Sequence, residues 1–200
     1  METPFDTKSQ EYRVVPPEEV AAILQKQEAH IAAARAKAYE AGDWSSYLFL
    51  CTRRGLRLLK FCGIQHRLSD AEYWEMLAEL WVDTELPSTN RPLWRELFTS
   101  TRGGREHLMS AAEHAVLNGL PPHVTLFRGA ALKFARGMAW TLDRDKAAWF
   151  ARRFEHGAII TATVPKCRVL ACFLAREEDE VVIDSRRIRY EVLESERAVA

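Results

Sequence analysis

Apolar residues recur along this chain with two different periods, and the change from one to the other falls at Pro121-Pro122. Before that point the spacing is helical. Pro16-Pro17-Glu18-Glu19 reads as a helix start, because proline loses nothing in a first turn and carboxylates favour the positive end of the helix dipole. From Val20 to Tyr39, Ile23, Leu24, Gln27, Ile31 and Ala34 recur on one side of an alanine-rich run, which predicts a helix whose small residues suit close packing. Gly42 ends it, and Asp43 caps a second helix carrying Tyr47, Leu48, Leu50, Cys51, Leu58, Leu59 and Phe61, interrupted by Arg53, Arg54 and Arg57 and stopped at Gly63. Ser69-Asp70-Ala71-Glu72 is a capping box. The run behind it, Tyr73, Trp74, Met76, Leu77, Leu80 and Trp81, is an amphipathic helix whose aromatic stripe reads as core. Pro87, Asn90 and Pro92 predict a loop over 86–92, and further helices follow at 93–98 and 106–117.

After the two prolines the segments are short, β-branched or aromatic, and bounded by Gly, Pro or charge clusters. Residues 124–127, 158–164, 169–174, 181–184 and 189–193 read as strands, with one helix from Asp143 carrying Ala147, Ala148, Phe150, Ala151 and Phe154 on its apolar side. The pattern predicts an α+β protein: a flexible arm over 1–15, a helical region over 16–119 and a strand-rich region over 122–195, packed together as one unit.

With 28 basic and 28 acidic side chains, the chain has no net field to draw it onto nucleic acid or an anionic membrane, although Arg53, Arg54, Arg57 and Lys60 offer a local basic face. Cys51, Cys62, Cys167 and Cys172 have no metal-ligand spacing and read as free, buried thiols of a reducing compartment. No apolar run approaches the ~20 residues a membrane span needs, and no secretory leader is visible, so a cytoplasmic protein without membrane contact is expected. Gly103-Gly104 reads as a plain turn, and His107 and His114 as ordinary histidines without acidic companions.

Three separated pieces place polar groups at the edges of extended segments. Arg128 precedes Gly129 at the end of one, where a guanidinium fork pairs with phosphate or carboxylate and glycine lets a ligand approach the backbone; a strand-end salt bridge is the competing reading. Trp140-Thr141 ends another, with a hydroxyl that either orients a carboxylate or simply makes a turn. Glu177-Glu178-Asp179-Glu180 enters a Val-Val-Ile strand, and Glu178 and Glu180 alternate onto one face, which suits stabilising positive charge at a sugar carbon.

The order Phe127-Arg128-Gly129, Trp140-Thr141 with Ala147-Ala148-Trp149-Phe150-Ala151, then Glu178-x-Glu180-Val181-Val182-Ile183 resembles the Arg-Ser-Glu class of mono-ADP-ribosyltransferases, over about the last third of the chain. The resemblance implies a split β-sheet core, mixed or antiparallel, and NAD+ as substrate with no metal. Arg128 would hold the pyrophosphate and ribose, Gly129 the nicotinamide amide, and Thr141 the hydroxyl of the Ser-x-Ser element, whose first serine is here Ala139. Glu180 would be the catalytic carboxylate and Glu178 would assist the acceptor, while Trp140 or Phe150 is a candidate to line the nicotinamide site. It further implies a macromolecular acceptor, protein or nucleic acid, and a setting as toxin or phage-defence effector with an antitoxin as possible partner. NAD+ hydrolysis and a catalytically weak NAD-binding or interaction module stay open beside transfer.

Overall fold

The computed structural model describes residues 15–85, 87–175 and 179–195. The expected N-terminal arm lies outside them apart from Val15. The chain divides into two compact units, one ending at Arg57 and the other beginning at Leu58.

The first unit is built on α1 (Pro17–Ala41), closed by Gly42 at φ 70°, whose N–H reaches the carbonyls of Ala38 and Tyr39. Left-handed backbone of this kind is where glycine carries no Cβ penalty. The close packing expected of this helix is not found: Ala38 is its one buried residue, while Val20, Ile23, Leu24 and Ile31 are exposed. Asp43 does cap the next turn, accepting from the Ser46 N–H at 3.0 Å. The long second helix does not form. A wide π-turn covers Ser46–Leu50, and the chain then leaves helical geometry. Side-chain donors compete there for the backbone: the Thr52 hydroxyl donates to the Tyr47 carbonyl at 2.7 Å, and Arg57 donates to Phe49 at 2.6 Å and Thr52 at 3.1 Å. Arg53 pairs with Glu28 at 2.6 Å, so two members of the expected basic face have partners inside the unit.

The second unit opens with α2 (Arg57–Ile64), which runs through Gly63 instead of stopping there. In α3 (Asp70–Asp83) the capping box forms as expected: Glu72 accepts from the Ser69 N–H at 2.8 Å and donates its own N–H to the serine oxygen at 3.3 Å. The whole stripe from Tyr73 to Trp81 is buried. Trp81 meets Trp94 and Phe98 of α4 (Arg91–Phe98) edge to face, with centroids 5.0 and 5.1 Å apart, a geometry the ring quadrupoles favour. Pro92, expected in a loop, sits in the first turn of α4, where its missing N–H costs nothing. The predicted 106–117 helix is displaced: residues 105–108 form a single tight turn, and α5 (Ala111–Gly119) starts at a second capping box, Ser110 with Glu113.

Six strands follow: β1 (His123–Ala131), β2 (Ala139–Thr141), β3 (Gly157–Pro165), β4 (Val169–Phe173), β5 (Glu180–Ile183) and β6 (Glu191–Ser195), with α6 (Arg144–Ala151) between β2 and β3. They form one sheet in the order β4-β5-β2-β1-β3-β6, every neighbouring pair antiparallel. The architecture is α+β. Helices and sheet share a core: Phe98 lies 6.5 Å from Phe173, and Arg105, stacked over Trp74, donates to the carbonyls of Phe98 and Leu170. The helices from α3 onward therefore belong with the strands, and the composition break at Pro121-Pro122 is not where the units divide. Of the cysteines, Cys172 is buried, Cys51 and Cys62 are half-buried, and Cys167 is exposed in the turn before β4, which corrects the expectation of four buried thiols. No helix among the described residues is long and apolar enough to cross a membrane.

Candidate functional site

The strand order brings β5, β2 and β1 side by side, and with them the three pieces that carry candidate chemistry. Thr141 is paired with Phe127 on one side and Glu180 on the other, so these three share a face of the sheet. Arg128 follows Phe127, and strand alternation sends its side chain to the opposite face, alongside Leu126 and Ala130, both fully buried. β1 runs on to Ala131, so Arg128 and Gly129 lie inside a nine-residue strand and not at its end.

The Arg128 guanidinium is pinned by backbone carbonyls. Its Nε donates to Phe134 at 3.2 Å and an Nη to Ala139, the first residue of β2. It lies flat against Gly137, where a Cβ would fall 2.4 Å from its Cζ and Nη2; this position admits no side chain while the arginine keeps its place. Burial lowers the pKa of Arg128 to about 10, Glu180 opposes that shift and Arg91 adds to it. Arg128 thus stays cationic at neutral pH and feels the charge of Glu180. Arg128 is held at the first residue of β2 and Glu180 stands opposite the last, two residues or roughly 7 Å of extended chain apart.

Gly129 has a structural explanation of its own. A Cβ there would fall 1.9 Å from the Ala147 carbonyl oxygen and 2.4 Å from the Ala151 nitrogen, so the space it leaves is filled by the backbone of α6. Ala147, Ala151 and Ile159 form the buried seam, with Phe127 and Ala148 against it. The open backbone expected for a ligand is, on this side, a helix seat. Thr141 is buried, and its hydroxyl accepts from the Asp143 N–H at 3.1 Å, tying the end of β2 to the start of α6. Asp143 caps α6 as expected, accepting from Asp145 at 2.7 Å and Lys146 at 3.3 Å.

Of the acidic run, Glu177 and Glu178 lie outside the described residues, Asp179 is paired with Lys146 of α6, and Glu180 opens β5. Asp179 adopts φ 44°, a left-handed turn that swings the chain into the strand. Trp140, a candidate for the nicotinamide wall, is 2 % exposed, and its indole N–H donates to the Gly137 carbonyl at 2.9 Å; it is a core residue. Phe150 is half-buried, edge-on to Trp149 at 4.9 Å, with the Arg153 guanidinium over both rings. His107 has the acidic companion that the sequence did not reveal: Glu75, from α3, lies 3.2 Å from its Nδ1. Gly103 and Gly104 form the expected plain turn, Gly104 at φ 68° and the Gly103 carbonyl accepting from Trp74.

Sequence reasoning passed over Gly137 and Arg91. Gly137 carried the same signal as Gly129, a glycine beside an arginine, but the partner arginine is nine residues upstream and only the fold joins them. Compared with models of known protein families, with curated proteins and with solved structures, the chain matches none.

Proposed function

We propose that the chain is an NAD+-dependent mono-ADP-ribosyltransferase that works from the adjacent strands β1, β2 and β5 of its sheet. The observation that carries this reading is the placement of a pinned cation, Arg128, and a carboxylate, Glu180, at the two ends of the three-residue strand β2, each within electrostatic reach of the other. Their side chains leave the sheet on opposite faces, so in this reading the substrate passes around the end of β2, with its phosphate at the guanidinium and its anomeric carbon near the carboxylate. In the reaction the bond from the ribose C1′ to the nicotinamide nitrogen breaks, and its electron pair leaves with neutral nicotinamide. Positive charge then develops on the ribose, where a fixed carboxylate stabilises it more than the ground state. An acceptor nucleophile bonds to C1′ and loses a proton. Arg128 orients the anionic end and Glu180 meets the developing cation.

Two observations favour a second reading, a protein that binds NAD+ without efficient turnover. Ala139 stands where the resembled class carries its first serine, and the Thr141 hydroxyl already accepts from Asp143. Incubation with NAD+ labelled in the adenylate half, with cell lysate as acceptor source, separates the possibilities. Transfer leaves label on macromolecules, hydrolysis leaves free ADP-ribose, and binding alone leaves intact NAD+. Glu180→Gln is the control. Nicotinamide release equal in wild type and Glu180→Gln would remove Glu180 from the reaction.

A further inference from the structure

The turn between β1 and β2, residues 132–138, is gripped from several sides. Within it, Ala135 donates to Leu132 at 3.0 Å and Gly137 to Phe134 at 3.0 Å. Arg128 holds the carbonyls of Phe134 and Ala139 from β1. Arg91, the first residue of α4, donates to the Arg136 carbonyl at 2.7 Å, and the Ser185 hydroxyl donates to the same oxygen at 2.8 Å. Arg136 O and Gly137 are consecutive, and Gly137 is the residue against which Arg128 lies, so two guanidiniums from distant elements meet on one rigid turn.

These charges are poorly compensated. Neither Arg91 nor Arg128 makes an ion pair among the described residues, and Arg136, stacked over Tyr190 at 5.7 Å, makes none either. Asp184, the carboxylate beside Ser185, is taken by Arg186 through contacts of 2.9 and 3.0 Å. Glu180 alone offsets Arg128, while Arg91 disfavours its charge. Like charges held together on a rigid support repel unless an anion joins them, and a planar fork is matched best by oxygens that accept two hydrogen bonds at once. Arg91 and Arg128 against Glu180 leave this turn with an excess of positive charge that an anionic group would offset.

We propose that Arg91 is a second anion-binding guanidinium, which with Arg128 takes a pyrophosphate group over the 132–138 turn. The NAD+ reading enters only in naming the bearer of that group. α4 would thereby supply substrate contact from the helical half of the unit, beside the Arg128, Thr141 and Glu180 candidates on the strands.

The test is calorimetric titration of the full chain with inorganic pyrophosphate and, separately, with ADP-ribose, for wild type, Arg91→Gln and Arg91→Lys, each with a thermal melt. Wild type should bind both. Arg91→Gln should weaken both by about tenfold or more, the loss of one charge-assisted contact, with Arg91→Lys between them. Wild type indifferent to pyrophosphate, or Arg91→Gln binding it as wild type does, overturns the proposal. Should Arg91→Gln fail to fold, Arg91→Lys decides: lower affinity at an unchanged melting temperature supports the fork, and equal affinity overturns it. Arg91-dependent binding of pyrophosphate without binding of ADP-ribose would keep this site and sink the NAD+ reading. ADP-ribose binding untouched by Arg91→Gln would do the reverse.

Discussion

Gly129→Ala tests the packing on which the candidate site depends, and its cost can be worked from the geometry. The added methyl would sit 1.9 Å from the Ala147 oxygen, 2.4 Å from the Ala151 nitrogen and 2.9 Å from the Ala147 carbonyl carbon. All three are helix backbone, so no rotamer change relieves the clash. An ordinary contact begins at 3.4 Å, so α6 or β1 must retreat by about 1.5 Å. β1 is paired residue for residue with β3 over its full length, which makes α6 the element that yields. Its retreat loosens the seam of Ala147, Ala151 and Ile159 and the flanks of Phe127 and Ala148. Overpacking alone costs about 1–3 kcal/mol, and the lost burial brings the expected total to about 3–4 kcal/mol. At roughly 2–4 °C per kcal/mol for a protein of this size, the melting temperature should fall by about 10 °C. Thermal and urea unfolding followed by circular dichroism measure it. Gly119→Ala is the control: nothing lies within 4 Å of its Cβ position, and alanine at the end of α5 should be neutral or stabilising. A Gly129→Ala protein within about 0.5 kcal/mol of wild type would refute the placement of α6 on β1, since surface-like changes fall in that range.

Glu180→Gln should abolish nicotinamide release while leaving NAD+ affinity within about threefold, because the interaction it removes matters chiefly in the transition state; a comparable loss of affinity in titration would reassign Glu180 to ground-state binding. Ser69→Ala should cost about 1 kcal/mol of unfolding free energy by opening the α3 cap. The same cap predicts a pH dependence: Ser69, through side chain and backbone, holds the Glu72 carboxyl below its ordinary 4.5, so this contribution is complete above that value and is lost as pH falls through the lower folded value. Acid unfolding of Ser69→Ala should lose the larger, side-chain part of that component while the backbone N–H keeps the rest, and identical curves would exclude the side-chain contribution. Burial pushes the Cys172 thiol up to about 11, with Glu113 adding to it, whereas Cys167 is exposed. A thiol reagent at neutral pH should therefore modify Cys167 first and reach Cys172 only on unfolding; mass spectrometry finding Cys172 labelled in the native protein would contradict its burial.

Local chemistry was legible along the chain wherever neighbours in sequence are also neighbours in space. The Ser69 cap, the Gly42 stop, the Asp143 cap and the stripe from Tyr73 to Trp81 all rest on spacings of a few residues, and each formed where the pattern placed it. Five of the six strands were legible in the same way with their ends shifted, β1 running four residues past Phe127, whereas the three-residue β2 was not among them. The second helix failed for a reason that spacing does not carry: Thr52 and Arg57 donate to the carbonyls of Tyr47 and Phe49 and draw the backbone out of register.

What the amino-acid sequence determined by itself is the class of the protein, helices followed by strands, and the residue types available to a site; the all-antiparallel pairing was decided by the fold. The tertiary structure decided which of those residues have other duties. Gly129, a ligand approach by its neighbours, is a helix seat because α6 folds back across β1; Trp140 is core because its indole finds the Gly137 carbonyl. Arg128 and Glu180 approach each other only because β5, β2 and β1 are adjacent in the sheet order, and Arg91 joins them only because α4 starts against the turn that Arg128 also holds. Periodicity reports which side of an element is apolar. It carries no information about which element will lie against that side, and pairing over tens of residues is where that is settled.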